Sequence, residues 1–134
     1  MASDLSKYMG NLICGWITGQ DMPAAPTTVY VAIFNGDPKA SGTEVTTDIR
    51  SAGRVAVDWD SLAIDANDCS ITNDAVVDFG NSESDTTGTH AARFDDDAAG
   101  NMICSHGLTG GTKTIASGSA VSFPVGNLVF NAGS

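Results

Sequence analysis

Residues 28–34, TVYVAIF, limit the possible folds more than any other stretch of the chain. Apolar side chains stand at odd and even positions alike, so a strand built from them turns an apolar surface to both faces of its sheet. Such a strand is stable only when both faces are covered. The rest of the chain supplies strands as the cover. RVAVDWD at 54–60 alternates, with Val55, Val57 and Trp59 on one face and Arg54, Ala56, Asp58 and Asp60 on the other. AVVDF, HAARF, NMICSH, KTI, AVSF and NLVF then succeed one another at short intervals, separated by Gly, Asn, Asp and Ser, which terminate strands. No helical period returns after residue 20. The pattern predicts a mainly β protein, an antiparallel β-sandwich or small barrel of about eight short strands. At 134 residues, 1–134 reads as one domain, with no internal repeat and no boundary.

One helix precedes the strands. Leu5, Tyr8, Met9, Leu12, Ile13, Trp16 and Ile17 recur at helical spacing, with Ser6, Lys7, Asn11 and Thr18 on the opposite face. The helix is expected over about 3–18, capped by Ser3 or Asp4 and stopped at Gly19. Gly10 and Gly15 each weaken it by up to ~1 kcal/mol relative to alanine, so packing has to hold it. It either covers one end of the sheet core or docks on a neighbouring subunit. QDMPAAP, at 20–26, reads as a proline-marked linker.

The charge balance excludes one class of partner. Sixteen acids against six bases leave a net charge of −10, a surface that repels phosphate backbones. The bases are scattered and not interleaved with aromatics, so no nucleic-acid face is expected. No signal peptide and no membrane-length apolar run is visible, so no membrane partner is expected either, and the chain reads as soluble in a reducing cytoplasm. Cys14, Cys69 and Cys104 are widely spaced and lack a C-x-x-C pair; they read as buried reduced thiols.

Four chemistries compete with plainer readings. HGLTGGTKT, at 106–114, resembles a phosphate-binding loop but has Thr112 where the final glycine belongs. Such a loop must also open a helix, and β-branched residues come next here; a strand–turn–strand connection is expected. FDDDAAGN at 94–101 and DANDCSITND at 65–74 carry acids, including Asp65, Asn67 and Asp68, but not at the spacing that converges on calcium. Both read as solvated hairpin tips. His90 and His106 lack any nucleophile-elbow motif around a serine, and Glu44 and Glu83 sit among loop residues, so neither a triad nor a glycosidase pair is expected. No catalytic residue, metal site or cofactor is assigned.

TTVYVAIFNGDPKASGTEV, the segment through RVAVDW, and GNMICSHGLTGGTKTIASGSAVSFPVGNLVF together resemble a family of small proteins encoded by tailed bacteriophages and prophages. That family places an N-terminal helix before a T-V-Y-V-A-L-F strand. A D-P-x-x-x-G-x-E-V loop comes after it, and the end reads K-T-hydrophobic-x-x-G-x-x-x-x-F-P-x-G-N-L. The chain departs from it by lacking a tyrosine before Arg50 or Arg54. It also reduces the family's W-G-T segment to TTGTHAARFDDD, in which Gly88, His90 and Phe94 survive.

The resemblance implies a non-enzymatic virion structural protein made in the host bacterial cytoplasm. Members are often labelled tail-fibre proteins, and similar small β-rich proteins cement or decorate capsids, commonly as trimers. A chain with no fibrous repeat and no coiled-coil heptads is a poor shaft. The favoured expectation is therefore a homotrimeric cement protein on the capsid exterior, bound to the major capsid protein lattice. The alternative is a tail-fibre or tail-tip subunit that contacts the host surface. The expected contact elements are the helix, through Leu5, Leu12 and Trp16, and the loop after the first strand, through Asp37, Pro38 and Glu44.

Overall fold

A computed structural model describes residues 4–58, 62–65 and 70–131. Ser3, Trp59, Asp60, Asn67, Asp68 and Cys69 lie outside the described residues.

The protein is mainly β. The helix α1 (Lys7–Ile17) precedes β1 (Thr28–Asn35), β2 (Thr43–Glu44), a single helical turn α2 (Thr46–Ile49) and β3 (Val55–Asp58). Then come β4 (Leu62–Asp65), β5 (Ser70–Asn73), β6 (Val77–Asn81), β7 (Thr86–Gly88), β8 (His90–Phe94) and β9 (Met102–Gly107). The last three strands are β10 (Lys113–Ile115), β11 (Ala120–Phe123) and β12 (Phe130–Asn131). All pairings are antiparallel. The main sheet runs β2-β1-β8-β9, with β3 also on β1; β10–β7, β11–β6 and β12-β5-β4 form smaller sheets. Among the described residues no sheet closes into a barrel.

β1 lies in the middle of the main sheet, as its two apolar faces require. β8 pairs along one edge, from Tyr30↔Phe94 to Phe34↔His90. The other edge is divided: β3 takes residues 28–31 and β2 takes Phe34 and Asn35. α2 fills the gap between them. The buried Thr46 hydroxyl accepts the Ile33 N–H at 2.7 Å, and the Val45 N–H donates to the Ile33 carbonyl at 2.8 Å. A one-turn helix thus completes a strand ladder, which explains why no helical period announces it.

The alternation of β1 and β8 separates two cores. Val31, Ile33 and Ala91 join Val45, Ile49, Val57, Val77, Phe79 and Leu128 on one face. Ala32, Phe34, Ala92 and Phe94 form the other, with Met102 against them. Phe34 and Phe94 stack there at 6.0 Å. Each large aliphatic side chain so buried contributes about 1.5–3 kcal/mol.

Two buried polar side chains tie distant segments to these cores. Asn73, 1% exposed, donates to the carbonyls of Ala75 at 2.8 Å and Pro124 at 2.9 Å. Its Oδ1 accepts the Leu128 N–H at 2.8 Å, so one amide anchors the turn that places Leu128. Arg93, 3% exposed, donates to the Leu128 carbonyl at 2.9 Å and lies over the Phe130 ring at 4.6 Å. Burial pulls its pKa below the ordinary guanidinium value.

Several expectations need correction. The N-cap is Ser6, whose hydroxyl accepts the Met9 N–H at 3.1 Å, neither Ser3 nor Asp4. Leu5 is outside the helix, in an antiparallel bridge to Cys104. Asp4 and Ser6 are held by β9 and β12 through Ser6 N–H to Ile103 at 2.9 Å and Asp4 N–H to Asn131 at 3.0 Å. Extended pairing wins over helix there because β9 offers free backbone groups. Gly19 does stop the helix, at φ 94°. The described strands number twelve, more than about eight, because short pieces of two to four residues pair locally. Cys104 is buried but Cys14 is exposed, because α1 turns it away from the sheet.

Candidate functional site

α1 is amphipathic in sequence, yet none of its residues is fully buried. Tyr8, Met9 and Leu12 face a groove of about 490 Å³ whose other wall is residues 22–26, with Ile103 of β9 also lining it. The segment read as a linker is therefore one side of a mostly apolar groove; its apolar residues, MPAAP, were the available signal. Asp95 is the single charged residue in the lining. Beyond the groove, Trp16 is 64% exposed, Ile17 71% and Met22 41%. Acidic side chains are absent from KYMGNLICGWI, in a chain that carries sixteen. The exposed apolar side of this acid-free helix is where contact with another subunit costs least in desolvation and repulsion.

The second expected element is built differently. Asp37 is exposed, but its Oδ1 accepts the Lys39 N–H at 2.9 Å and its carbonyl accepts from Ala40 and Gly42. Pro38, half-buried, sits inside this tight turn. Glu44 is engaged by Arg54, whose Nε and NH2 donate to its two oxygens at 3.1 and 2.9 Å. The same guanidinium lies 3.6 Å over the Phe94 ring and donates to the Asp96 and Ala99 carbonyls, each at 2.9 Å. Arg54 thereby fastens Glu44 to the β8–β9 turn, and Asp95 of that turn borders the α1 groove. Leu12 lines the same groove as Asp95, Trp16 is exposed on the same helix, Leu5 bridges to Cys104 of β9, and Glu44 is tied to the turn through Arg54.

The acidic turn is internally bonded. Asp95 Oδ1 accepts the Asn101 N–H at 2.6 Å, and Asp96 Oδ1 accepts from Ala98 and Ala99 at 3.1 and 3.3 Å. The backbone bonds from Ala98 and then Ala99 hold the Asp96 carboxyl below its usual pKa. This is the hairpin tip that the sequence suggested.

The two histidines stand apart in role. His90 Nδ1 is 2.8 Å from the Thr89 hydroxyl, and His106 Nδ1 is 3.2 Å from the Gly107 carbonyl. Burial lowers the His106 pKa below the ordinary imidazole value. Glu83 accepts from the Ser51 N–H and hydroxyl at 3.0 and 3.2 Å. The phosphate-loop look-alike is a turn between β9 and β10: Gly110 and Gly111 take φ 82° and 80°, and Lys113 opens a strand paired to Gly88.

Among the described residues no helix is long and apolar enough to cross a membrane. No curated protein matches the chain. A family model does, across residues 4–131, under the description podophage GP4 fiber I protein gp80. The match runs from Asp4 through both cores to β12, and on that span the chain belongs to the podophage GP4 fiber I protein gp80 family, a family of phage virion structural proteins.

Proposed function

We propose that this chain is a non-enzymatic fibre subunit of a podophage virion, and that a neighbouring virion subunit seats on α1 and its groove. The observation that carries the reading is the exposure of Trp16 and Ile17 on an acid-free helix of a strongly acidic chain, with Met22 of the groove wall exposed as well. The two cores hold the β body together, and a modest contact repeated over a symmetric assembly supplies avidity. Self-association as a homotrimer fits this role, with the same helix available to each copy.

A second reading is capsid cement on the outer face of the major capsid protein lattice. The compact β body without fibrous repeat favours it, since a cement protein needs no shaft. Quantitative mass spectrometry of purified particles, with separated tail and capsid fractions, decides between them. Few copies, all in the tail fraction, are expected. A copy number comparable to that of the major capsid protein would overturn the fibre assignment in favour of cement.

A further inference from the structure

A second cavity, about 410 Å³, opens between β10, β11 and the end of β9 and shares no lining residue with the α1 groove. Its volume is in the range of small-molecule sites. Lys113, Thr114, Ser119, Ser122 and Asn127 are among its polar lining. Ile115, Val121 and Phe123 are among its apolar lining and belong to the partly buried margin of the larger core. Neither Asp nor Glu lines it, although acids outnumber bases sixteen to six along the chain. Lys113 has no carboxylate partner among the described residues. His106 also lines the cavity, with a buried Nε2 that lacks a hydrogen-bond partner.

We infer that this cavity binds a small hydroxylated carboxylic acid of monosaccharide size. The Lys113 ammonium pairs with the carboxylate, a charge-assisted contact stronger than a neutral hydrogen bond. Elsewhere the net charge of −10 repels an anion, so the acid-free lining is what admits one. Thr114, Ser119, Ser122 and Asn127 offer donors and acceptors to ligand hydroxyls, while Ile115, Val121 and Phe123 support its C–H face. A purely apolar ligand would strip water from those polar groups and leave them unpaired. The site does not depend on where in the virion the chain sits.

Amide NMR of the full chain, titrated separately with glucuronate, glucose and hexanoate, tests this. Saturable shifts are expected at 113–115 and 120–123, with glucuronate binding at least about tenfold more tightly than glucose or hexanoate. Lys113→Ala and Lys113→Gln should each remove that preference, and Lys113→Arg should retain it. Lys113 is exposed, so the spectra away from the cavity should stay unchanged and report an intact fold. Equal binding of glucose and glucuronate, or no saturable shift at these amides, would overturn the site. Hexanoate binding as tightly as glucuronate would overturn the hydroxylated class.

Discussion

β1 and α1 are both dense in large apolar residues, but the fold uses them in opposite ways. In β1, Val29, Val31, Ala32, Ile33 and Phe34 are all buried. In α1 no residue is, and Trp16 and Ile17 are among the most exposed large side chains of the molecule. The difference lies in what surrounds them. β1 has partners on both edges and a core on each face, whereas α1 meets β9 and the wall at 22–26 along one side only. Apolar density therefore reports stability in the strand and available contact surface in the helix.

The largest expected effect is at the β body. Asn73→Ala strips partners from Leu128 N–H and two carbonyls at once and should destabilise by roughly 2–4 kcal/mol, read as a lower urea midpoint. A loss below about 0.5 kcal/mol would mean that the turn holding Leu128 does not need its anchor. Thr46→Val keeps the shape but leaves the Ile33 N–H unpaired; about 1–3 kcal/mol should be lost. Full stability in that variant would show that α2 does not complete the β1 edge.

At the helix the expectation reverses. Trp16→Ala should change monomer stability by less than about 1 kcal/mol, because the ring is already exposed, while incorporation into particles falls sharply. A loss of about 3–5 kcal/mol would place Trp16 in the core and erase the contrast between the two regions.

The thiols give the smallest effects. Site-resolved labelling should modify Cys14 in the native protein and Cys104 only on unfolding, since burial pushes the Cys104 thiol from 9.0 up to about 12. With the folded pKa raised, the folded state holds a proton that the unfolded state releases, so this contribution is complete below about pH 9 and is lost as pH rises toward about 12. Cys104→Ala should flatten that alkaline slope in pH-dependent urea melts. An unchanged slope would assign it to other groups.

Much of the β architecture was legible in residue order. Apolar residues at every position of β1 foretold its central place, and Gly110 and Gly111 ahead of β-branched residues foretold a turn in place of a phosphate loop. α2 was not legible, because one turn of helix has no period to detect and is held by tertiary contacts: the Thr46 hydroxyl and Val45 N–H on Ile33, and the Glu83 and Ser84 N–H groups that donate to the Ile49 and Asp48 carbonyls. Nor was the groove: MPAAP marks a break in secondary structure, and only packing makes it a wall. Arg54 and Glu44 stand ten residues apart in a charge pattern with no helical spacing, and their pairing depends on Phe94 and the turn at 95–101 lying beneath them.

Residue order alone determined the strand-rich class, the covered central strand, the single long helix and the phage-protein resemblance, because each rests on local periodicity and turn chemistry. Three-dimensional packing decided that the helix stays uncovered, that Asn73 and Thr46 complete the β body, and that an acid-free cavity forms around Lys113. Those features join residues far apart in the chain, and burial and charge at such junctions are set by the neighbours that folding brings together.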